Sequence, residues 1–343
     1  MPILGILASA FRVTVASFIG FGHNLSPFFT VYSWSSGFGS KYANPSTLPV
    51  SRVDGAAVSP DLNTIALITS STPYINAYNW SLSGFGTKYA NPSVLPGNGG
   101  TGQAVAFNPS GDVIAHAHGI ASLVGINAYP WSISGFGTKY ANPATALTAS
   151  QDVRDITFNL SGDVVSISIS TTPFVYAYAW SNGFGTRYAN PVSLPTGTGR
   201  GVAFSPSSND IVVGHEITPF VTAYPWSNGF GTKYANPISL PAFYTRKINF
   251  HPSGDSVALA TAGTPHVTAY PWSSGFGTKY ANPASLPTGL SNDVVFNTDG
   301  SVIGLATDVT PFVTAYNWSS GFGTKYASPS SLIPASGVSI VFI

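Results

Sequence analysis

The sequence Trp-Ser-Asn-Gly-Phe-Gly-Thr-Lys-Tyr-Ala-Asn-Pro occupies residues 226–237, and close copies of it occur six more times along the chain. The copies follow one another at intervals of 46, 51, 49, 46, 46 and 46 residues. A nearly fixed period of this size is typical of a protein built from one repeated structural unit, so the 343 residues form one body. The tryptophans of the copies, which are all the tryptophans in the chain, are Trp34, Trp80, Trp131, Trp180, Trp226, Trp272 and Trp318.

Each repeat is predicted to contain four short strands. In the last copy, residues 293–296 and 301–307 are rich in β-branched and small apolar residues, and residues 311–318 alternate between apolar and polar. Residues 324–327 form the fourth segment, and glycine-containing turns separate the segments. Four strands in about 45 residues are typical of one blade of a β-propeller. The sequence therefore predicts an all-β, seven-bladed β-propeller with four antiparallel strands per blade and no helix.

The two ends of the chain are predicted to meet in one blade. Residues 338–343 have the pattern of a first strand, since Phe342 follows Phe296 by 46 residues, but no further blade comes after them. We expect this strand to complete blade 1, because closure removes the open sheet edges. Residues 13–343 then form a single propeller domain, and residues 1–12 form an N-terminal arm or an extra edge strand.

Two stretches carry a resemblance to a known repeat family. Gly-Val-Ala-Phe-Ser-Pro (201–206) and Pro-Phe-Val-Thr-Ala-Tyr-Pro-Trp (219–226) resemble WD40 and related seven-bladed propeller repeats. Trp-Ser replaces the Trp-Asp of that family and its Gly-His signature is missing, so its buried hydrogen-bond network is not carried over. The opening Met-Pro-Ile-Leu-Gly-Ile-Leu-Ala-Ser is similar to the first residues of some bacteriophage structural proteins, which implies a virion component.

The composition argues against several kinds of partner. Charged residues make up only 7%, and 13 Lys and Arg nearly balance 12 Asp and Glu, so no net field attracts nucleic acid or acidic membranes. The absence of cysteine excludes disulfides and thiolate metal sites. No apolar run reaches the ~18 residues of a transmembrane helix, and the N-terminus lacks the basic region of a signal peptide. We therefore expect no nucleic-acid partner and no membrane insertion.

Candidate catalytic and metal-binding residues are few. Glu216 and His215 break the repeat, but neighbouring residues on a strand point to opposite faces. His116 and His118 are two residues apart and could share a strand face as metal ligands, but the sequence supplies no third ligand. The aspartates lie mostly in turns, where they satisfy backbone groups. We therefore predict no enzyme activity, no metal and no cofactor.

The repeated hairpin itself is the remaining candidate site. One interpretation is that its Trp and Tyr pack between neighbouring blades while its basic residue protects the outer edge. The other is that seven equivalent patches bind a repetitive ligand by avidity. Besides the tryptophans, the candidate binding residues are the basic residues Lys41, Lys88, Lys139, Arg187, Lys233, Lys279 and Lys325 and the tyrosines Tyr42, Tyr89, Tyr140, Tyr188, Tyr234, Tyr280 and Tyr326.

Three functional hypotheses follow. The first is a non-enzymatic structural or adhesion protein of a bacteriophage virion, which forms homo-oligomers in the particle and contacts other virion proteins or a host-surface glycan. The second is a secreted carbohydrate-binding propeller of lectin type that uses the hairpin residues. The third is a propeller hydrolase with a site in the central channel, ranked last because the sequence offers no carboxylates that evidently converge.

Overall fold

The computed structural model describes residues 17–96, 101–119, 125–145, 147 and 151–343. The predicted N-terminal arm, residues 1–12, lies outside the described residues. Within these ranges there is no helix of any length, and hence no helical segment able to span a membrane. The chain is an all-β, seven-bladed propeller, as its sequence predicts.

The strands form seven antiparallel sheets, which are the seven blades. Blade 1 contains β1 (Ser17–His23), β2 (Phe29–Trp34) and β3 (Phe38–Lys41). Blade 2 contains β4 (Val53–Val58), β5 (Thr64–Thr69), β6 (Ile75–Ser81) and β7 (Gly84–Lys88). Blade 3 contains β8 (Gly102–Phe107), β9 (Val113–His118), β10 (Ile126–Ser132) and β11 (Gly135–Phe136). Blade 4 contains β12 (Val153–Phe158), β13 (Val164–Ile169), β14 (Val175–Trp180) and β15 (Phe184–Arg187).

Blade 5 contains β16 (Gly199–Phe204), β17 (Asp210–His215) and β18 (Val221–Pro225). Blade 6 contains β19 (Thr245–Phe250), β20 (Ser256–Thr261) and β21 (Val267–Pro271). Blade 7 contains β22 (Ser291–Phe296), β23 (Val302–Thr307), β24 (Val313–Trp318) and β25 (Phe322–Lys325). The last strand is β26 (Gly337–Phe342).

The final strand closes the propeller. β26 pairs antiparallel with β1, with Phe342 opposite Ile19 and Ile340 opposite Phe21, and it becomes the innermost strand of blade 1. In every other blade the first strand of the repeat is innermost. The predicted completion of blade 1 by the C-terminal strand is therefore confirmed, and the first and last repeats are joined by hydrogen bonds.

The length of the fourth strand depends on one residue of the third strand. Blades 3, 5 and 6 have proline before the tryptophan, at Pro130, Pro225 and Pro271. Proline has no N–H to donate to a neighbouring strand. In blade 3 the fourth strand is only two residues long, and in blades 5 and 6 it is reduced to the isolated bridges Trp226–Phe230 and Trp272–Phe276. The four blades without this proline have a fourth strand of four or five residues.

The hydrophobic core lies between the blades. All residues of the second strand in blades 2 to 7 are buried, because both faces of this strand are covered by neighbouring blades. Each core cluster joins residues of adjacent blades; one of them joins Val175 and Ala177 of blade 4 to Val202, Ile211 and Trp226 of blade 5. Burial of apolar surface between blades therefore holds the ring together.

The repeated tryptophan and tyrosine form the same contact at all seven blade boundaries. The tyrosine at the outer end of one blade meets the tryptophan of the next edge-on, with centroid distances from 4.9 Å to 5.9 Å. This is a favoured aromatic geometry, and it confirms the part of the packing interpretation that places Trp and Tyr between neighbouring blades. The pairs are Tyr42–Trp80, Tyr89–Trp131, Tyr140–Trp180, Tyr188–Trp226, Tyr234–Trp272, Tyr280–Trp318 and, across the closure, Tyr326–Trp34.

We expect Trp226→Ala to lower the free energy of unfolding by about 3–5 kcal/mol, because it removes a buried aromatic side chain and leaves a cavity between blades 4 and 5. Equilibrium denaturation in urea measures this change. The control is Ile238→Ala, since Ile238 is fully exposed and its truncation should change stability by less than about 0.5 kcal/mol. Equal effects of the two substitutions would contradict the packing role of the tryptophan.

Candidate active site

The innermost strands of the blades surround a central channel with a cavity of about 690 Å³. Its wall is formed by β4, β8, β12, β16, β19, β22 and β26, and the turns that follow several of these strands surround one mouth. We call the face with these turns the turn face, and the opposite face, where the inner strands begin, the start face. Ligand sites in proteins are commonly concave and lined by a few converging polar groups.

Every inner strand has a β-bulge near the start face. In β12, for example, the register against β13 shifts between Val153 and Asp155, which leaves Arg154 as the extra residue. Bulges redirect side chains and are common next to active sites. The extra residues in the seven inner strands are Asp54, Gln103, Arg154, Arg200, Arg246, Asn292 and Val338.

The residue after each bulge belongs to a ring at one level of the channel. Four of the seven positions in this ring have small or uncharged side chains, whereas three carry charge. The seven residues, in blade order from blade 2 to blade 7 and then blade 1, are Gly55, Ala104, Asp155, Gly201, Lys247, Asp293 and Ser339.

Lys247 spans blade 5 to form an ion pair with Asp155 of blade 4. The intervening residue is Gly201, and a Cβ there would lie 2.9 Å from the carbonyl oxygen of Arg246. The glycine thus allows the inner strands to approach each other. The second oxygen of Asp155 accepts a hydrogen bond of 3.0 Å from the backbone N–H of Val202. The ion pair is only partly exposed, so water screens it less than it screens a surface pair.

Asp293 is the third charged member of the ring. Its Oδ1 accepts a hydrogen bond of 2.8 Å from the N–H of Val294, and its Oδ2 accepts one of 3.1 Å from the N–H of Ile340. Burial raises the pKa of Asp293 to about 6; the nearby Asp155 adds to this rise, while Lys247 and the two N–H groups oppose it. A carboxylic acid with a pKa near neutrality can both accept and return a proton under physiological conditions.

Asp155, Lys247 and Asp293 form what we call the channel triad. The triad combines a carboxylate able to act as a general base with an ammonium group able to stabilise an oxyanion. Its residues come from three blades and lie 92 and 46 residues apart in the chain. The third hypothesis was ranked last because no converging carboxylates were evident; the closed ring brings two of them to Lys247.

The hairpin residues singled out in the sequence lie far out on the blades. The seven tryptophans are buried, with exposed fractions of 2–7%, so a ligand cannot reach the indole rings in this arrangement. The neighbouring tyrosines are half-buried by their contacts with tryptophan. A ligand-binding role of these aromatic residues stays a prediction, whereas their packing accounts for their place in the fold.

Six of the seven basic residues of the hairpin have local partners. In four blades the lysine Nζ donates a hydrogen bond of 2.5–2.7 Å to the asparagine three residues later. In blade 4 the Arg187 guanidinium lies 4.3 Å from the centroid of the Tyr176 ring. Lys325 points to the carbonyl of Leu286 at 3.5 Å, and Lys41 is exposed. The four lysine–asparagine pairs are Lys88–Asn91, Lys139–Asn142, Lys233–Asn236 and Lys279–Asn282.

Glu216 and His215 have separate partners. Glu216 forms an ion pair with Arg200, whose Nε donates to its Oε1 at 2.6 Å. His215 is buried, and its Nε2 lies 2.9 Å from the hydroxyl of Thr222. Burial lowers the pKa of His215 to about 4, so the ring is neutral near pH 7. Nothing in this arrangement makes the two residues an acid–base pair.

His23, His116 and His118 are also buried. The rings of His116 and His118 lie 5.5 Å apart, and Nε2 of His118 is 3.0 Å from the amide nitrogen of Asn127. Burial lowers the pKa of His116 to about 3. His23 is bonded to Thr30 at 3.0 Å, in the same way as the histidine of blade 5. Within the ranges that the structure describes, no three His, Asp or Glu side chains are grouped as metal ligands.

Comparison with known proteins identifies the fold but no family. The sequence matches no protein-family model and no curated protein sequence. A periplasmic gluconolactonase of Pseudomonas aeruginosa shares the fold with a TM-score of 0.74 and 11% identity, over 96% of this chain and 99% of that one. A candidate 6-phosphogluconolactonase of Bacteroides uniformis gives 0.70 and 13%, over 96% and 99%. Hydrazine synthase of Kuenenia stuttgartiensis gives 0.65 and 14%, over 85% and 89%.

These matches correct two expectations. The main hypothesis of a non-enzymatic structural or adhesion protein of a virion is contradicted, and so is the prediction of no enzyme activity, because several of the propellers that this chain matches over nearly its whole length carry enzyme names. The WD40 resemblance is confirmed for the seven-bladed architecture alone, and nothing in the comparisons supports the likeness to bacteriophage proteins. At identities of 11–14% the likeness establishes a shared fold.

The sequence did contain a signal for the channel triad. In blades 4 to 7 the corresponding position of the first strand lies every 46 residues, at Asp155, Gly201, Lys247 and Asp293. The surrounding hairpins are almost unchanged, so a position that varies between opposite charges is unusual. The sequence did not show that the Lys247 side chain extends past Gly201 to Asp155.

We expect Lys247→Met to raise the pKa of Asp293 above about 6, because the positive charge that favours its ionised form is removed while the carboxylate of Asp155 remains. The carboxyl carbon shift of ¹³C-labelled aspartate, followed against pH by NMR, measures this pKa, and Asp293→Asn identifies the signal. Lys233→Met, on the outer hairpin, is the control and should leave the titration unchanged. A titration unchanged in the Lys247 variant would contradict the electrostatic coupling.

Proposed function

We propose that this protein is a hydrolase of small polar esters, with lactones as the substrate class, and that the channel triad is its active site. The observation that carries this proposal is the meeting of Asp293, whose pKa is raised to about 6, with the Lys247–Asp155 ion pair in a cavity of about 690 Å³. The enzyme names of the propellers with the same fold support the choice of a lactone, a cyclic ester.

The reaction that fits the triad is direct attack by water on the ester carbonyl. Ionised Asp293 takes a proton from water as the oxygen of that water bonds to the carbonyl carbon. The ammonium of Lys247 donates a hydrogen bond to the developing oxyanion. When the tetrahedral intermediate collapses, the bond to the ring oxygen breaks, and that oxygen receives the proton from Asp293. The products are a carboxylic acid and an alcohol on one open chain.

Asp155 has a positioning role in this scheme. Its carboxylate holds Lys247 across the inner strand of blade 5, and its own orientation is fixed by the N–H of Val202. The ammonium held in this position can donate a hydrogen bond to the developing oxyanion. Asp155 itself makes no bond to the reacting atoms.

We expect the protein to accelerate hydrolysis of glucono-1,5-lactone above the spontaneous rate and Asp293→Asn to lower kcat/KM at least about 100-fold, the usual contribution of a general base. A pH-stat assay with subtraction of the uncatalysed rate measures this. Asp255→Asn is the matched control, since Asp255 lies in the exposed turn of blade 6 and should keep activity. Equal activity of the Asp293 variant and the control would contradict the proposal, as would a wild-type rate no higher than the spontaneous one.

The pH profile separates catalysis from a structural role. The active form of Asp293 is the ionised one, so kcat/KM should rise as pH increases through about 6 and then level off. The residual activity of Asp293→Asn should lack this rise. A folded variant that keeps the wild-type profile at reduced amplitude would show that another group is the base.

A further inference from the structure

The connection between blades 5 and 6 differs from its counterparts on the start face. Residues 241–246 read Pro-Ala-Phe-Tyr-Thr-Arg, whereas residues 195–200 read Pro-Thr-Gly-Thr-Gly-Arg and residues 287–292 read Pro-Thr-Gly-Leu-Ser-Asn. Phe243 and Tyr244 thus occupy positions that hold glycine and a small or aliphatic residue in the neighbouring blades. The connection between blades 5 and 6 therefore carries two aromatic residues where these two counterparts carry none.

The aromatic residues of this connection form a platform at the surface. The Phe243 ring lies 6.2 Å from that of Phe220, with 25° between the planes, and 5.2 Å from the ring of Tyr244. A Cβ on Gly263 would lie 2.8 Å from Cβ of Phe243, so the loop of blade 6 makes room for this side chain. Phe243 nevertheless remains 49% exposed, which leaves part of its ring free to contact a ligand.

Two arginines lie beside this platform. The Arg200 guanidinium is 5.5 Å from the centroid of the Tyr244 ring, and its charge is balanced by Glu216. Arg246 is half-buried and its Nε has no hydrogen-bond partner among the described residues. None of the ion pairs within the described ranges includes Arg246. Asp308 lies near enough to favour the charged form of Arg246, but it makes no direct ion pair with the guanidinium among the described residues, so an added anion could do so.

The cationic group also adjoins the channel triad. Arg246 is the extra residue of the bulge in β19, and Lys247 follows it directly in the chain. Burial and the charge of Arg200 lower the pKa of Arg246, while Tyr244 and Asp308 act in the opposite direction, so an anion bound here would further favour the charged guanidinium. An anion held by Arg246 would lie at the start-face end of the inner strand that carries Lys247.

We propose that Arg200, Phe220, Phe243, Tyr244 and Arg246, the aromatic–arginine cluster, bind a monosaccharide that carries an anionic group. The guanidinium of Arg246 would bind the anion with paired N–H donors, as arginine does with carboxylate and phosphate. The exposed Phe243 ring would contact the C–H face of the sugar. This inference deepens the proposed hydrolase function and rests on it only for the role of the bound sugar as substrate or product.

Calorimetric titration of the full chain tests the proposal. The probes are gluconate, which carries a carboxylate, glucose 6-phosphate, which carries a phosphoryl group, and neutral glucose. We expect saturable binding of at least one anionic probe and at least tenfold weaker binding of glucose. Which anion binds better identifies the anionic group. Absence of saturable binding of both anions, or equal binding of glucose, would overturn the proposal.

Variants locate the site. Arg246→Gln and Phe243→Ala should each weaken binding of the anionic probe at least tenfold, and Arg246→Lys should restore part of the loss because it retains the charge. The matched control is Arg154→Gln, since Arg154 is the extra residue of the equivalent bulge in blade 4 but pairs with Asp152 away from the platform. It should stay within twofold of wild type. Equal weakening by the control, or unchanged affinity of Arg246→Gln, would overturn the assignment.

The hydrolase proposal and the sugar-binding proposal can be tested independently of each other. Asp293→Asn should lose hydrolysis yet keep its affinity for the anionic probe within about threefold, because Asp293 does not contact the cluster. If wild type binds the anion through Arg246 but hydrolyses no lactone, the binding proposal stands and the hydrolase function is wrong. Thermal unfolding identifies any variant that is not folded. If Arg246→Gln is not folded, the affinity of the Arg246→Lys variant is compared with that of wild type instead.

Discussion

The edge-on contact of a tyrosine with the tryptophan of the next blade is the interaction on which this propeller depends. It recurs at all seven boundaries, including the closure at which Tyr326 meets Trp34. With only 7% charged residues, the chain has few ion pairs with which to hold its blades together. Apolar and aromatic packing therefore maintains the ring, and the nearly invariant hairpins are explained by this geometric requirement.

Because the outer parts of the blades hold the ring, the inner strands are free to differ. Their shared bulges shift the register of each inner strand near the start face. The four small, uncharged residues of the ring could occur in any propeller, whereas Asp155, Lys247 and Asp293 create a polar, asymmetric environment. Arg246 and Phe243 extend this asymmetry to the start face on the same side of the ring.

Much of the architecture could be predicted from sequence because the fixed repeat period shows which residues occupy equivalent positions in the blades. The position of Phe342, one period after Phe296, was enough to predict closure by the last strand. The fourth strand was predicted uniformly, yet Pro225 and Pro271 reduce it to a bridge in two blades. The channel triad was not predicted, because its members belong to separate copies. Alignment of the repeats with one another places the three residues at one level of the channel. It does not show that the Lys247 side chain extends past Gly201 to Asp155.

The central claim is that ligand chemistry takes place at the channel end beside the triad, whereas the repeated hairpins are structural. A crystal structure of the protein with bound gluconate tests this claim most directly. The account predicts gluconate with its carboxylate within hydrogen-bond distance of the Arg246 guanidinium and its carbon chain directed toward Lys247. Gluconate bound instead along the outer hairpins, beside residues such as Tyr234 and Lys233, would contradict the account.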